Sequence, residues 1–236
     1  MTSIAIIPAG GKGLRVGIAT KKGIATKKGI ATPKQYLKVN GKEIIVYTLQ
    51  TFQKNKHIDK IIIAAEPEYF PLLLRLIKKY KLNKVKLIVE GGSTRQQSVY
   101  NAVLSSEVNE NDLIVVHDAA RPMLPDDVLT KAIETAKQKG NALVCIKAKD
   151  TLIKGNKFVT EYLNRDEVYY VQTPQVFKYK DLERAFSKAH SEKFVGTDES
   201  MLIKRTGKKV SIVEGSVFNF KITTREDVEL FKRITT

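Results

Sequence analysis

Short apolar segments alternate with longer amphipathic segments along most of the chain. Continuous runs of β-branched and other apolar residues, typical of buried strands, occur at 4–7, 61–65, 85–89, 113–116 and 143–146. Apolar residues at helical spacing occur between or after these runs, at 44–52, 70–80, 95–104 and 128–136. Such alternation is typical of βαβ units, in which parallel strands are joined by helical crossovers. The pattern predicts an α/β fold with a Rossmann-like, mostly parallel sheet and helices on both faces.

The alternation stops after Lys149. Residues 150–176 are polar and mixed, with β-like pieces at 157–162 and 168–171, and we predict a protruding β-arm there. Further helices are predicted at 182–189 and 199–204, and further strands at 210–213 and 217–222. Thr223 with Glu226 fits a capping box that opens a last helix. All of this is compatible with one domain over residues 1–236.

A short tandem repeat interrupts the beginning of the chain. Residues 17–22 and 23–28 both read GIATKK, and residues 29–34 read GIATPK. A six-residue period over three copies is too short for a solenoid. Loops tolerate insertions because the entropy cost of closure grows slowly with length. We predict an expanded, basic surface loop over residues 17–34; the alternative is a lysine-rich lid over a phosphate site.

Composition narrows the possible classes of protein. No apolar run approaches the roughly 18 residues that a membrane span needs, and the first residues lack the basic region of a signal peptide, so we expect a cytoplasmic location. The single cysteine, Cys145, lies in an apolar run and is interpreted as a core residue, as is His117. Neither has a partner at metal-ligand spacing, and no protein-built metal site is predicted.

The formal net charge of +16 favours anionic partners: nucleic acid, a membrane surface or phosphorylated small molecules. Most of the lysines are scattered, as on the solvated faces of helices. Particular residues, and not the total charge, must therefore identify an anion site.

A glycine-rich turn follows the first predicted strand, where residues 8–15 read PAGGKGLR. Closely spaced glycines let backbone N–H groups approach a phosphate chain, and open α/β sheets bind ligands beyond the carboxyl ends of their strands. The spacing matches neither the G-x-G-x-x-G dinucleotide fingerprint nor a P-loop. This absence argues against an NAD-dependent oxidoreductase.

Further motifs add charged and polar candidates to this turn. They are PKQYL at 33–37, GGSTRQQSV at 91–99 and HDAARP at 117–122. Lys34, paired with Arg15, is a candidate clamp for a triphosphate. Ser98, one turn into a predicted helix, is a candidate for contact with a base or ribose. Asp118 and Arg121, at the end of a predicted strand, are expected to face the same crevice.

These motifs, in this order, resemble the 2-C-methyl-D-erythritol 4-phosphate cytidylyltransferase family of the non-mevalonate isoprenoid pathway. Later segments agree: KDT at 149–151, NRD at 164–166, QTPQVF at 172–177, TDE at 197–199 and FKIT at 220–223. The likeness runs from Ile4 to about Phe231 and covers essentially the whole chain.

The resemblance implies a fold of the nucleotide-diphospho-sugar transferase type and transfer of CMP from CTP to 2-C-methyl-D-erythritol 4-phosphate. The products would be 4-diphosphocytidyl-2-C-methyl-D-erythritol and pyrophosphate. Mg²⁺ would be bound mainly through the CTP triphosphate. The arm at 150–176 would cross into the neighbouring subunit of a homodimer.

The resemblance also implies a role for individual residues. The catalytic residues would be Arg15, Lys34 and Lys221. The CTP-binding residues would be Ala9, Gly10, Gly11, Gly13, Gly92, Arg95, Ser98 and Ala119. The residues that bind the acceptor substrate would be Asp118, Arg121, Thr151, Arg165, Thr173 and Thr197.

The sequence departs from the family pattern in its first loop. The loop begins Ala9-Gly10 where the family has two alanines, and Val16 replaces the usual methionine. The extra GIATKK copies lengthen the connection between Arg15 and Lys34. We therefore expect this loop to close differently, or more slowly, than in the family.

Three alternatives stay open on the sequence alone. Ribitol-5-phosphate cytidylyltransferases share the loop, the HD-x-x-RP pattern and the Thr-Pro-Gln motif, but they commonly have valine where this chain has Ala120. A nucleic-acid-binding protein would fit the charge, but the basic residues lack interleaved aromatic residues or a recognisable binding motif, so nucleic acid is not expected. A scaffold with a degenerate site is the third alternative, because of the expanded loop.

Overall fold

The computed structural model describes residues 1–11 and 32–236 of the protein. The predicted repeat loop of residues 17–34 lies outside this part of the chain, apart from residues 32–34. Arg15 and Gly13 also lie outside the described residues, so their predicted roles stay predictions.

A seven-stranded sheet forms the centre of the described fold. Its strands are β1 (Ser3–Pro8), β4 (Lys60–Ala65), β5 (Val85–Glu90), β6 (Leu113–Val116), β7 (Asn141–Lys147), β10 (Tyr169–Lys178) and β11 (Ile212–Glu214). They lie in the order β11–β7–β10–β6–β1–β4–β5. Only β10 in this sheet runs antiparallel to its neighbours. The predicted mostly parallel sheet is confirmed.

Helices cover both faces of this sheet. They are α1 (Ile44–Lys54), α2 (Phe70–Lys79), α3 (Arg95–Leu104), α4 (Asp126–Lys139), α5 (Tyr179–Ser191) and α6 (Glu199–Arg205). The last helix, α7 (Arg225–Ile234), packs Phe231 into a separate, smaller core. None of the helices in the described ranges combines the length and apolar character of a membrane span.

Alternate side chains of the central strands point to opposite faces, as the pleat requires. Ile7 joins a core that includes Leu49 of α1 and Leu129 of α4. Its neighbour Ile6 joins a second core that includes Val99 of α3. The inner strands are therefore apolar on both faces, which explains why they appear in the sequence as continuous and not alternating apolar runs.

Only part of residues 150–176, the segment predicted as a protruding arm, lies outside the central sheet. Strands β8 (Leu152–Gly155) and β9 (Val159–Leu163) form an antiparallel hairpin that is separate from the central sheet. Strand β10, in contrast, pairs with both β6 and β7, and residues 172–177 are buried. The sequence pattern did not predict this strand, because the polar residues Gln172, Thr173 and Gln175 interrupt its apolar run. All three are nevertheless buried, and each forms a hydrogen bond inside the protein.

The strand predicted at 217–222 is wrong, because these residues form a turn and a coil. Asn219 is buried there and donates hydrogen bonds to Gln172 and to the Thr173 carbonyl. The capping box is also displaced by one residue: Thr224 caps α7, with Asp227 as its reciprocal partner.

Two further short strands, β2 (Lys38–Val39) and β3 (Lys42–Glu43), form a small hairpin before α1. Val39 belongs to a minor core with Ile222 and Phe231. Because Ile222 also donates its backbone N–H to the Ala120 carbonyl at 2.9 Å, the segment before α7 is fixed beside the end of β6.

Candidate active site

A cleft of about 720 Å³ lies at the carboxyl ends of neighbouring parallel strands. Its lining includes residues 8–11 at the end of β1, Glu66 after β4, residues 90–95 at the end of β5 and residues 118–120 after β6. Open parallel sheets bind ligands at this edge, because successive strand ends and helix starts converge there. Lys34, Gln35 and Lys221, which lie outside the strands of the central sheet, also line the cleft.

The cleft brings together most of the residues that were predicted to bind CTP or to act in catalysis. Those that line it are Ala9, Gly10, Gly11, Lys34, Gly92, Arg95, Ser98, Ala119 and Lys221. Asp118, which was predicted to bind the acceptor substrate, also lines it. They come from segments far apart in sequence, so the fold and not local spacing assembles them.

The start of the glycine-rich loop is fixed by residues of the following motif. The amide of Gln35 donates to the carbonyl oxygens of Ala9 and Gly11, and the Tyr36 hydroxyl also donates to Ala9. Tyr36 in turn stacks on Tyr69, with 4.2 Å between ring centroids. Gln35 had no assigned role in the sequence, although it stands beside Lys34 in the Pro-Lys-Gln motif.

Ser98 shapes the second loop of the cleft. Its hydroxyl accepts from the Gly92 N–H at 3.0 Å and donates to the Thr94 carbonyl at 2.9 Å. Thr94 caps α3 by accepting from the Gln97 N–H. A side chain at Gly91 would come within 3.3 Å of the Ser98 oxygen, so the backbone of this loop comes close to Ser98.

Asp118 is the buried carboxylate at the centre of the charged part of the cleft. Its Oδ1 accepts from Arg95 Nε at 2.9 Å, and its Oδ2 accepts from Lys221 Nζ at 2.7 Å. Arg121 Nε lies 3.9 Å from Oδ2. Burial alone would raise the pKa of this carboxyl, but the charges of Arg95 and Lys221 outweigh it and hold the pKa far below its usual value.

Glu199 is a buried charged residue that the sequence reasoning did not select. Both of its carboxylate oxygens accept from Arg95 Nη1, at 2.7 and 2.9 Å. Burial raises the pKa of Glu199, and the charge of Arg95 opposes this rise only in part. Burial alone lowers the pKa of Arg95, but Glu199 and Asp118 together raise it, so the guanidinium stays charged. The only indication of Glu199 in the sequence was the Thr-Asp-Glu motif at 197–199, from which Thr197 was predicted to bind the acceptor.

His117 and Thr173 support Asp118 from inside the protein. His117 Nε2 lies 3.1 Å from the Arg121 carbonyl, which only accepts, so this nitrogen carries the proton. Its Nδ1 therefore accepts from the Thr173 hydroxyl at 3.0 Å. The same hydroxyl oxygen accepts from the Asp118 N–H at 3.2 Å. Burial lowers the pKa of His117 to about 4, which keeps the ring neutral at pH 7.

The remaining predicted acceptor-binding residues do not line this cleft. Arg121 donates to the Asn219 carbonyl at 2.7 Å, and Thr173 is buried behind Asp118. Thr197 is exposed and lies 3.1 Å from the Met201 sulfur. Thr151 and Arg165 are exposed in the arm region, where Arg165 donates to the Lys149 carbonyl at 3.3 Å.

Within residues 1–11 and 32–236, no three His, Cys, Asp or Glu side chains are grouped as metal ligands. Glu66, Glu90 and Asp118 line the cleft, and both Asp118 oxygens already accept from cations. This donor set fits a Mg²⁺ ion that is held mainly by substrate phosphates and water, as Mg²⁺ often is.

The fold is shared with solved structures of nucleotidyltransferases. The structure of 4-diphosphocytidyl-2C-methyl-D-erythritol synthase from Anaerococcus prevotii has a TM-score of 0.82 at 27% identity, over 99% of this chain and 98% of that chain. The 2-C-methyl-D-erythritol 4-phosphate cytidylyltransferase of Francisella tularensis has a TM-score of 0.79 at 32% identity, over 99% of both chains. The fold and the cleft thus define an α/β nucleotidyltransferase.

The sequence comparison identifies the particular family. The family model described as 2-C-methyl-D-erythritol 4-phosphate cytidylyltransferase matches residues 3–236. A relative of that name from Geobacter metallireducens is 36% identical over 234 residues, 98% of this chain and 96% of the relative. One from Clostridium acetobutylicum is 37% identical over 227 residues, 95% and 93% of the two chains. The chain belongs to the 2-C-methyl-D-erythritol 4-phosphate cytidylyltransferase family.

The buried neutral histidine predicts how stability depends on pH. A histidine in the unfolded chain titrates near 6.5, whereas the pKa of His117 in the folded protein is about 4. The unfolded state therefore binds more protons between these values, and the free energy of unfolding should fall as the pH decreases through this range. In the variant His117→Asn this part of the decrease, at most about 1.4 kcal/mol per pH unit, should be absent.

Urea unfolding at a series of pH values measures this difference. The stability gap between the wild type and His117→Asn should narrow as the pH falls from 6.5 toward 4. Thr48→Ser is the control, because Thr48 is buried and has no titratable group, so its substitution should change the stability by the same amount at every pH. A constant gap for His117→Asn across the range would refute the buried neutral state.

Proposed function

We propose that this protein transfers CMP from CTP to 2-C-methyl-D-erythritol 4-phosphate, giving 4-diphosphocytidyl-2-C-methyl-D-erythritol and pyrophosphate. The main support is one cleft in which a glycine-rich turn, Lys34 and an Asp118–Lys221 pair lie together at the edge of the sheet. Membership of the cytidylyltransferase family supports the same activity.

The proposed reaction is a direct nucleotidyl transfer. An oxygen of the acceptor's phosphate attacks the α-phosphorus of CTP, the bond from that phosphorus to the oxygen bridging it to the β-phosphorus breaks, and pyrophosphate leaves in line. The acceptor phosphate is anionic at neutral pH, so no strong general base is needed. Catalysis then depends on positioning and on stabilisation of the developing charge.

The charged residues have distinct proposed roles in this step. Lys34, on the cleft wall, and Arg15, outside the described residues, would stabilise charge on the α-phosphate and the departing pyrophosphate. Lys221, which Asp118 holds at 2.7 Å, would act on the acceptor side. An ammonium group is a compact charge, whereas a guanidinium forms two parallel bonds to a phosphate.

The rest of the cleft would bind the nucleotide. The backbone at Ala9, Gly10 and Gly11 would face the phosphates of CTP, with Gly13 continuing this loop beyond the described residues. Gly92, Ser98 and Ala119 would contact the cytosine and ribose, and Arg95 would border them. Backbone N–H groups near the start of a helix suit such contacts, because they lack partners within the helix.

A magnesium ion would bind through the triphosphate. When bound, it would neutralise part of the phosphate charge as the pyrophosphate leaves. The chain itself would contribute cations and backbone donors, since Asp118 already accepts from Arg95 and Lys221.

The arm would form a homodimer and complete the acceptor site of the partner. Its hairpin exposes Phe158, Tyr162 and Ile153, with relative exposures of 83%, 72% and 52%. Exposed apolar patches of this kind mark interaction surfaces. Thr151 and Arg165 in the same region would then reach the partner's cleft. Thr173, which is buried beside Asp118, and Thr197 would belong to the acceptor side of their own subunit.

Pyrophosphate release tests the proposed reaction directly. The purified protein is incubated with CTP and Mg²⁺ together with either 2-C-methyl-D-erythritol 4-phosphate or ribitol 5-phosphate. We expect pyrophosphate only with 2-C-methyl-D-erythritol 4-phosphate. Release only with ribitol 5-phosphate would keep the chemistry and reject the acceptor, and no release from folded protein would reject the activity.

Removing one phosphate-facing cation should slow the reaction. Losing one such contact to the transition state typically lowers kcat by about 10²–10³-fold, and we expect this for Lys34→Ala and for Arg15→Ala. Lys38→Ala is a control, since Lys38 is exposed outside the cleft. Steady-state kinetics measures the effect; near wild-type kcat in both variants would exclude the assigned roles.

Mixing two inactive variants tests the arm. If Arg165 acts across a dimer, Arg165→Ala and Lys34→Ala subunits should regain activity when they are mixed and exchanged, because one cleft in each mixed dimer is then intact. Separately, the double substitution Phe158→Ser and Tyr162→Ser should halve the mass measured by light scattering, whereas Leu74→Ser, an exposed position on α2, should not. An unchanged mass and no recovery on mixing would contradict the arm proposal.

A further inference from the structure

Glu199 lies behind the cleft and does not line it. It is the first residue of α6, and its relative exposure is 1%. Its carboxylate binds only Arg95 among the described residues, through Nη1. Arg95 uses a different nitrogen, Nε, to bind Asp118. The guanidinium is therefore held between two carboxylates.

Glu199 is connected to Lys221 by a row of ion pairs that runs through Arg95 and Asp118. Asp118 receives Arg95 on Oδ1 at 2.9 Å and Lys221 on Oδ2 at 2.7 Å. Glu199 and Arg95 are 104 residues apart in sequence, and Asp118 and Lys221 are 103 apart. The Ile222–Ala120 hydrogen bond places the backbone beside Lys221, and the ion pair with Asp118 sets where the ammonium at the end of the Lys221 side chain lies.

Charge balance shows what Glu199 contributes to this row. Two carboxylates, Glu199 and Asp118, face two directly bound cations, Arg95 and Lys221, and a third, Arg121, lies 3.9 Å from Asp118 Oδ2. Without the charge of Glu199, Arg95 would have Asp118 as its one remaining carboxylate partner. A guanidinium can bind both oxygens of a carboxylate, and it would then compete with Lys221 for Oδ2.

The position of α6 does not depend on this contact. Asp198 caps the helix by accepting from the Met201 N–H at 3.0 Å. The Gln175 side chain accepts from the Ser200 N–H at 2.9 Å, and Leu202 is buried in a core. Loss of the Glu199 charge should therefore disturb Arg95 more than it disturbs the helix.

We infer that Glu199 is a positioning residue for the transfer reaction: it fixes Arg95, which leaves Asp118 free to hold Lys221 at the cleft. This inference rests on the proposed function. Loss of the Glu199 charge should destabilise the transition state, because it would displace the Lys221 ammonium that acts on the reacting phosphates. A misplacement of about 1 Å can lower a rate by roughly 10²-fold.

The variant Glu199→Gln tests the inference, because it keeps the shape of the side chain and removes its charge. We expect kcat to fall by at least about 10-fold. A change confined to the KM for CTP would show that Glu199 acts only through the contact of Arg95 with the nucleotide, and it would overturn the inference. The matched control is Glu43→Gln: Glu43 is also buried, with 5% exposure, and its ion pair with Lys38 lies outside the cleft. Unchanged kcat in folded Glu199→Gln would overturn the inference.

A double-mutant cycle with Lys221→Ala separates positioning from a merely structural role. If Glu199 acts through Lys221, adding Glu199→Gln to Lys221→Ala should cost almost nothing further in kcat. Independent, multiplicative losses would overturn the inference even if each variant is slow. Should Glu199→Gln fail to fold, Glu199→Met, which also removes the charge and has a similar length, is carried through the same cycle and judged by the same criteria.

The wild-type assay separates failure of the inference from failure of the proposed function. Absence of turnover in the wild type would reject the proposed function. A Glu199 variant as active as an active wild type would reject only the inference about Glu199.

Discussion

The burial of the Asp118 carboxylate is the constraint around which the cleft is organised. A buried charge is costly unless cations and hydrogen bonds compensate it. Asp118 obtains this compensation from α3, through Arg95, and from the segment before α7, through Lys221. Its own backbone N–H donates to Thr173 of β10. Ion pairs of this kind add little net stability, but they fix where each partner lies.

Much of the fold could be predicted from the sequence, because buried parallel strands and amphipathic helices leave strong periodic patterns. The pattern failed at β10, where Gln172, Thr173 and Gln175 interrupt the apolar run. Each of these residues is buried and has at least one hydrogen-bond partner in a distant segment. Local periodicity carries no information about such partners, so a strand that depends on them is read as a loop.

In the site, too, residues in local motifs could be predicted from the sequence, whereas a residue defined by a distant contact could not. Motif residues such as Gly92, Ser98 and Asp118 could be selected from the sequence, and the fold brings them to one cleft. Glu199 could not, since a glutamate at the start of a helix is ordinarily a favourable surface charge. Only its burial against Arg95, more than one hundred residues away, distinguishes it. The serine and threonine hydroxyls of Ser98 and Thr173 are likewise engaged within the protein, which the motifs do not reveal.

The hydrogen bonds from Gln35 to the Ala9 and Gly11 carbonyls have a genetic consequence. They join the two ends of the segment that contains the GIATKK copies, so the floor of the cleft is fixed whatever the number of residues between them. Doubling the length of such a connection costs only about 0.6 kcal/mol in closure entropy. A mutation that adds or removes a whole GIATKK copy should therefore cost little in folding, and its main effect should be on catalysis.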